Sequence, residues 1–278
     1  MMHKIKGIIA LDLDGTLLDS NKQLSSRNLQ AVTKAAEEGW EIVPTTGRFY
    51  NGMPQFVRDL PFVRYAITIN GAEVCELETN KIIYKAELPW QQAVKIMEWL
   101  DEYPVIYDCY MFSSGWMSEI HKSKIDGLVQ SKHSQDMLHR LRKPVPDLKE
   151  FLMQKEHGVQ KVQFFVKDPN ARPEMMVKLN EEFEGIVVST ALPQNVEINQ
   201  THANKGEALL ALADYLGCEH SNTLAFGDGT NDLPMIRDAG VGIAMANAAD
   251  SVKEVADWIA PSNDEDGVAA GIYKYCFE

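Results

Sequence analysis

Short apolar runs that stop abruptly at a carboxylate or a glycine-containing polar cluster recur at both ends of this chain. No other feature limits its fold as strongly. Residues 5–11 (IKGIIAL) form a β-rich run ending at Asp12. Ser25 or Ser26 can cap a helix reaching Glu38, with Leu29, Val32 and Ala36 on one face and Gly39 as its stop. Residues 40–44 (WEIVP) read as a second buried strand ending in Thr45-Thr46-Gly47, and residues 65–69 (YAITI) as a third ending in Asn70-Gly71. The alternation returns late in the chain. A helix at 205–216 stops at Gly217, and a strand at 223–226 ends in Gly227-Asp228. A short helix at 232–238, a strand at 241–246, a helix at 248–256 and a strand at 257–260 follow. Strands alternating with helices predict a parallel α/β sheet.

The middle of the chain follows another pattern. A helix is expected at 92–102, adjacent strands at 104–112 and 115–120, and polar, basic helix plus loop over 121–146. A helix near 147–156, a strand at 161–167, a helix near 171–184 and strands near 185–190 and 195–199 complete it. Paired strands with interspersed helices suggest an α+β unit on an antiparallel sheet. The expected organisation is therefore a discontinuous core, residues 1–83 and 193–278, with an insert over 84–192.

Ligands of open α/β sheets bind at the carboxyl ends of the strands. Those ends carry Asp12-Leu13-Asp14-Gly15-Thr16, Thr45-Thr46-Gly47-Arg48 and Gly227-Asp228-Gly229-Thr230-Asn231-Asp232, while Lys205 opens the helix before the last of these strands. Each piece alone has a plainer reading. Asp-Gly can be a hairpin turn, Asp or Asn can cap a helix, and Lys205 can be solvated. Together they would converge four carboxylates, a lysine and a threonine on one edge. Several carboxylates share a small site only if a cation neutralises them or they take up protons. Oxygen ligands without nearby His or Cys favour Mg2+. An aspartate can attack phosphorus, with Mg2+ and Lys205 cancelling charge, and a second aspartate two residues on can protonate the departing alkoxide and then activate water.

Charge excludes other classes. The formal net charge of −13 and a pI of about 5.0 oppose non-specific binding to nucleic acid or anionic membrane, which needs a basic face. No apolar run approaches the roughly 20 residues that span a bilayer. Cys75, Cys109, Cys218 and Cys276 are far apart without a C-x-x-C pair, so reduced thiols in a cytoplasmic protein are expected. No G-x-x-x-x-G-K-[ST] is present, and Gly240-x-Gly242 lacks its third glycine, position 245 being Met.

The four segments Asp12–Thr16, Thr46–Arg48, Lys205-Gly206 and Gly227–Asp232 resemble the four motifs of the haloacid dehalogenase superfamily, in order and spacing. Gly240–Ala248 and Asp264–Ala269 are similar to its Cof-type (subclass IIB) sugar-phosphatase branch. The resemblance implies a Rossmann-like parallel core with an inserted α+β cap of type C2B. It implies an Mg2+-dependent phosphatase that hydrolyses small phosphate monoesters, sugar phosphates above all, through an aspartyl-phosphate. Asp12 would be the nucleophile and Asp14 the general acid/base. Asp12, the Asp14 main-chain carbonyl and Asp228 would hold Mg2+, with Asp232 supporting its water shell. Thr46, Gly47, Lys205 and Asn231 would hold the phosphoryl group. Arg48 would either touch substrate or merely cover the strand end. The implied partner is a small phosphorylated metabolite, and the implied state a monomer or small homo-oligomer.

The insert matches no substrate pattern. Trp116, His121 and Lys122 could face a substrate, but a core Trp with surface His and Lys is the favoured reading. Two rivals remain open. A phosphomutase would share the fold branch and the aspartyl-phosphate but return the phosphoryl group to a sugar hydroxyl. A phospholigand-binding regulator would have lost turnover, which the presence of nucleophile, acid/base and lysine opposes.

Overall fold

The computed structural model describes residues 5–190 and 192–277. The ends of the expected core at 1–4 and 278, and residue 191 of the expected insert, lie outside them. The described chain divides into two compact units, one formed by the two ends of the chain (to Lys85 and from His202), the other by Ala86–Thr201. In chain order the strands of the first unit are β1 (Gly7–Asp12), β2 (Trp40–Thr45), β3 (Tyr65–Thr68), β4 (Glu73–Glu76) and β5 (Lys81–Lys85). The insert holds β6 (Val105–Met111), β7 (Ser114–Ser118), β8 (Arg142–Val145), β9 (Lys161–Val166), β10 (Ile186–Ser189) and β11 (Asn195–Gln200). The chain then returns to the first unit with β12 (Thr223–Gly227), β13 (Val241–Met245) and β14 (Trp258–Ala260).

The first unit is an eight-stranded sheet in the order β14-β13-β12-β1-β2-β3-β4-β5. The pairings from β14 to β3 are parallel, and β4 and β5 add an antiparallel edge. All six residues of β1 are buried, as a central strand covered on both faces requires. Its side chains alternate between two cores. Ile9 and Leu11 pack with Val32, Ala35, Val268 and Ile272 from the helices Ser26–Glu37 and Gly267–Cys276. Ile8 and Ala10 pack with Leu209, Leu212 and Ile236 from the helices Lys205–Leu216 and Leu233–Asp238. Two helix signals hold: Ser25 Oγ accepts from Asn28 N, and Gly217 closes its helix at φ 64°; Asn204 Oδ1, which accepts from Glu207 N, is a cap the sequence reading did not include.

The C-terminal helix and the β4–β5 hairpin add to the elements expected from sequence. The second boundary also differs. The insert ends at Thr201, not at 192, because β11 pairs antiparallel with β9 and β10 and belongs to the insert's sheet.

The insert's sheet runs β10-β11-β9-β6-β7-β8. One face packs Tyr107, Cys109, Phe164 and Ile198 against the helices Trp90–Leu100, Leu148–Lys155 and Arg172–Glu182. On the other, Ile106, Met117 and Phe165 pack with Ile125, Val129 and Leu138. A buried polar network completes it. Arg142 Nε lies 3.0 Å from Asp108 Oδ1, Arg142 Nη2 donates to Tyr110 Oη at 2.9 Å, Gln163 donates to Asp108 Oδ2 at 2.8 Å, and Lys161 pairs with Glu197 at 2.8 Å. An Arg side chain crosses β7 only because position 115 is glycine: a Cβ there would stand 2.6 Å from Arg142 Cδ. With its guanidinium held, Arg142 cannot step aside. Gly115→Ala should therefore cost about 1–3 kcal/mol, read as a lower urea midpoint of unfolding. An unchanged midpoint would show that the guanidinium moves freely.

Trp116, His121 and Lys122 are engaged within the insert. Trp116 stacks at a tilt on Phe151 and donates to Met111 O at 2.9 Å. His121 sets its ring edge against Tyr107, and Lys122 donates to His139 O and Arg142 O. Among the described residues the four cysteines are unpaired, and no helix is long and apolar enough to cross a membrane.

Candidate active site

Parallel pairing brings the strand ends together. Asp12 is in register with Thr45, and its neighbour Leu11 with Phe226, one residue before Gly227-Asp228. Asp12 is 6 % exposed and Lys205 is fully buried. Lys205 Nζ donates to Asp12 Oδ1 at 2.6 Å and to Asp232 Oδ1 at 2.5 Å. Asp232 Oδ2 accepts from the main-chain N–H groups of Asp228 (3.0 Å) and Gly229 (2.9 Å), and Thr16 Oγ1 donates to Asp228 Oδ1 at 3.0 Å. Lys205 is thus a strut between two segments far apart in sequence, and Asp232 folds its own loop.

Oxygen atoms of Asp12, Asp228 and Asp232 lie within 4.8 Å of one another. Three carboxylates face one ammonium, so the site holds excess negative charge. Burial first, and then repulsion from Asp232, push the Asp12 carboxyl from 3.8 up to about 8 against the pull of Lys205. The same two causes push Asp228 up to about 6, with Thr16 opposing. Burial alone would make Lys205 easier to deprotonate, but Asp12 and Asp232 outweigh it and raise its pKa. Such a donor set fits a hard divalent cation. Among the described residues Asp12 Oδ2 and Asp228 Oδ2 accept no hydrogen bond, whereas both oxygens of Asp232 do.

Asp14 points its carboxylate elsewhere. Arg48 grips it through Nε (2.9 Å) and Nη2 (2.8 Å), and Lys22 Nζ stands 3.0 Å from Oδ1. Burial opposes its ionisation, but Arg48 and then Lys22 outweigh burial and hold its carboxyl below the usual range. Arg48 also donates to Gly52 O. Its partner is therefore the second aspartate, a contact that neither sequence reading of Arg48 contained. Thr46 is buried, and its Oγ1 accepts from Arg48 N at 3.2 Å. Gly47 faces Asn70, whose Oδ1 would stand 2.7 Å from a Cβ at position 47, and Asn231 Nδ2 donates to Asn70 Oδ1 at 3.2 Å. Every site residue expected from sequence lies in the first unit. Sequence reasoning missed Lys22, Asn70 and the part played by Thr16. The Asn-Gly pair closing β3 was a visible signal for Asn70, whereas nothing local marks Lys22.

The C-terminal segment holds the loop after β1. Asp264 accepts from Ser20 N and Oγ, Asp266 from Ser25 Oγ, and Asn263 Nδ2 donates to Leu18 O. Asn247 Nδ2 donates to Gly15 O at 2.8 Å. Gly15 has φ 97°, and a Cβ there would meet Asp228 Oδ2 at 2.4 Å, so this glycine lets two acidic loops touch.

The α/β core sheet is that of a haloacid dehalogenase-like hydrolase, and with the family match and relatives named as phosphatases the chain is a phosphoric monoester hydrolase. The chain belongs to the haloacid dehalogenase-like hydrolases, whose family pattern matches residues 9–272, and within them to the Cof type. It is 28 % identical over 265 residues to the 5-amino-6-(5-phospho-D-ribitylamino)uracil phosphatase YcsE of Bacillus subtilis (strain 168), covering 95 % of this chain and 94 % of that one. It is 26 % identical over 270 residues to the pyridoxal phosphate phosphatase YbhA of Escherichia coli (strain K12), covering 96 % and 98 %. Among solved structures, a haloacid dehalogenase-like hydrolase from Bacteroides thetaiotaomicron superposes with a TM-score of 0.81 at 29 % identity, covering 96 % and 98 %.

Proposed function

We propose that this enzyme hydrolyses small phosphate monoesters, sugar phosphates foremost, through an aspartyl-phosphate on Asp12, with Mg2+ as cofactor. The observation that carries the reading is the buried Lys205 strut joining Asp12 to Asp232 beside Asp228. A nucleophilic carboxylate and a phosphate dianion repel one another, and only a charge-cancelling site lets them meet. YcsE and YbhA, by their names, act on small phosphorylated metabolites, and the resemblance to the Cof-type branch favours sugar phosphates.

In the first step an Asp12 oxygen bonds to phosphorus and the ester P–O bond breaks, with Asp14 giving its proton to the departing alkoxide. In the second, water attacks the same phosphorus, Asp14 takes the water's proton, and the P–O bond to Asp12 breaks to release phosphate. Lys205, Thr46, Gly47 and Asn231 hold the phosphoryl oxygens. Mg2+, held by Asp12, the Asp14 main-chain carbonyl and Asp228 with Asp232 behind its water shell, would offset negative charge on the phosphoryl group. The salt-bridged Asp14 is in the ionised form that suits the second step. The first requires it to leave Arg48 and Lys22 and take up a proton. The insert is assigned the cap role that the resemblance implies.

A panel of sugar phosphates, nucleotides and cofactor phosphates assayed for inorganic phosphate release tests the reading. Release from at least one sugar phosphate without isomerisation of a hexose 1-phosphate is expected, and isomerisation without release would establish the mutase instead. No turnover of any phosphoester would leave the ligand-binding regulator. EDTA should lower the rate about 100-fold or more, since charge stabilisation by a metal amounts to several kcal/mol, and added Mg2+ should restore it. Turnover that survives EDTA would remove the metal from the mechanism.

A further inference from the structure

Immediately after β3 the backbone makes three successive residues with positive φ: Ile69 (54°), Asn70 (56°) and Gly71 (92°). Asn and Gly tolerate this region, but a β-branched residue there is a genuine outlier. Backbone strain of this kind persists only where the surroundings over-determine it, and it gathers at functional sites. Ile69 is fully buried, and its N–H donates to Arg48 O at 3.0 Å; Asn70 N donates to Thr46 O at 3.1 Å. On its other side the turn lies against the start of the Lys205 helix, where a Cβ on Gly71 would stand 2.2 Å from Asn204 O and 2.7 Å from Lys205 N. The strained turn therefore touches both the Thr46–Arg48 segment and the base of Lys205.

Its one polar side chain reaches the third segment. Asn70 is 8 % exposed, and its Oδ1 takes a hydrogen bond from Asn231 Nδ2 at 3.2 Å. The same oxygen crowds position 47, where only glycine fits. A primary amide nitrogen carries two hydrogens in a fixed plane. An acceptor that takes one of them sets the direction of the other and decides which end of the amide faces the site.

We propose that Asn70 is a positioning residue: by accepting one Asn231 Nδ2 hydrogen it aims the other at the phosphoryl group during transfer. This rests on the reading of Asn231 as a phosphoryl ligand. The left-handed turn exists, on this account, to bring the Asn70 amide oxygen between Gly47 and Asn231.

The test is a double-mutant cycle on the full chain, with steady-state kinetics on the best substrate of the panel and thermal melting of each variant. Asn70→Gly deletes the side chain while keeping a residue at ease at positive φ. Asn231→Ala should lower kcat by about tenfold or more, and Asn70→Gly by about tenfold with a smaller change in KM, since a misdirected group loses its effect in the transition state. The double variant should be no slower than Asn231→Ala by more than about twofold, because the two residues act as one unit. Asn70→Asp keeps the acceptor, so Asn231→Ala should still cost its full factor in that background. If Asn70→Gly does not fold, Asn70→Ala, which also lacks the acceptor, takes its place in the cycle. Losses that multiply in the double variant, an Asn70→Gly enzyme with wild-type kcat, or an Asn70→Asp background indifferent to Asn231→Ala would overturn the proposal. If Asn231→Ala alone costs nothing, the phosphoryl-ligand reading of Asn231 fails first and the inference falls with it.

Discussion

Asp12→Asn is expected to abolish phosphatase turnover while leaving a protein that, stripped of metal, melts at a higher temperature than the wild type. The activity loss follows from chemistry: an amide oxygen is a poor nucleophile, and removing the attacking group of a covalent mechanism costs about 10^4-fold or more in kcat. The stability gain follows from electrostatics. Asparagine fills the same space and can accept the Lys205 hydrogen bond, but it removes one of the three clustered carboxylates. The direction with pH can be worked out. Asp12 titrates near 3.8 in the unfolded chain and near 8 in the folded, metal-free site. Between those values the unfolded chain has released a proton that the folded protein keeps, so the Asp12 contribution is fully present below 3.8 and is lost as pH rises through 8. Asparagine does not titrate, so the melting advantage of the variant in EDTA should widen from pH 5 to pH 8. Kinetics on pure variant, with melting curves at both pH values, check the two halves separately. Substantial residual turnover would mean that Asp12 is not the attacking group. A lower Tm at pH 8 would mean that the carboxylates do not repel as their proximity implies.

The parts of this fold that could be read from sequence are those whose signal is local. β1, β2 and β12 are short, mostly apolar runs, with Glu41 the one charge inside β2, each ended by a polar or glycine-containing cluster, and a parallel sheet converts their shared polarity into a shared edge. Asp12 and Asp228 therefore meet for a reason visible before any coordinates. The hairpin of β4 and β5 was not visible, since Glu73, Glu76, Lys81 and Lys85 mask a short apolar alternation; on β5, the exposed edge strand, such charges are needed. β8 hid behind Arg142 and Pro144, residues that read as loop until Asp108 and Tyr110 are seen to receive the arginine. The C-terminal helix begins at a left-handed Asp266 without a side-chain cap, and Gly271 lies in it where a Cβ would meet Phe226. Within the site, the residues themselves were legible but their pairings were not. Arg48 with Asp14, Lys22 with Asp14, and Asn70 with Asn231 are contacts between loops whose conformations depend on φ angles and packing that no periodicity encodes.

Lys205→Met should show the largest loss of stability. The side chain is fully buried, and methionine matches its length and volume, so packing is nearly conserved while the charge disappears. Asp12 and Asp232 then stand buried beside Asp228 with no cation among them. Removing one partner of a buried ion pair costs about 3–5 kcal/mol, because the remaining charge keeps its desolvation penalty. For a chain of this size that is a fall of roughly 6–20 °C in Tm. Two dependences separate this from a simple packing defect. Without Lys205 the Asp12 carboxyl loses the one contact that pulls its pKa down, so the folded variant holds its proton to still higher pH. Below about 8 Asp12 is protonated in both folded proteins, so on that account the gap to wild type should be nearly flat from pH 5 to pH 7 and widen as pH rises above 8. A divalent cation supplies the missing positive charge, so millimolar Mg2+ should raise the Tm of the variant more than that of the wild type. Turnover should fall as well, since the phosphoryl group loses a buried ammonium. A variant with unchanged Tm would mean that protons alone neutralise the site. A deficit indifferent to both pH and Mg2+ would mean that Lys205 serves only to pack the helix that carries it.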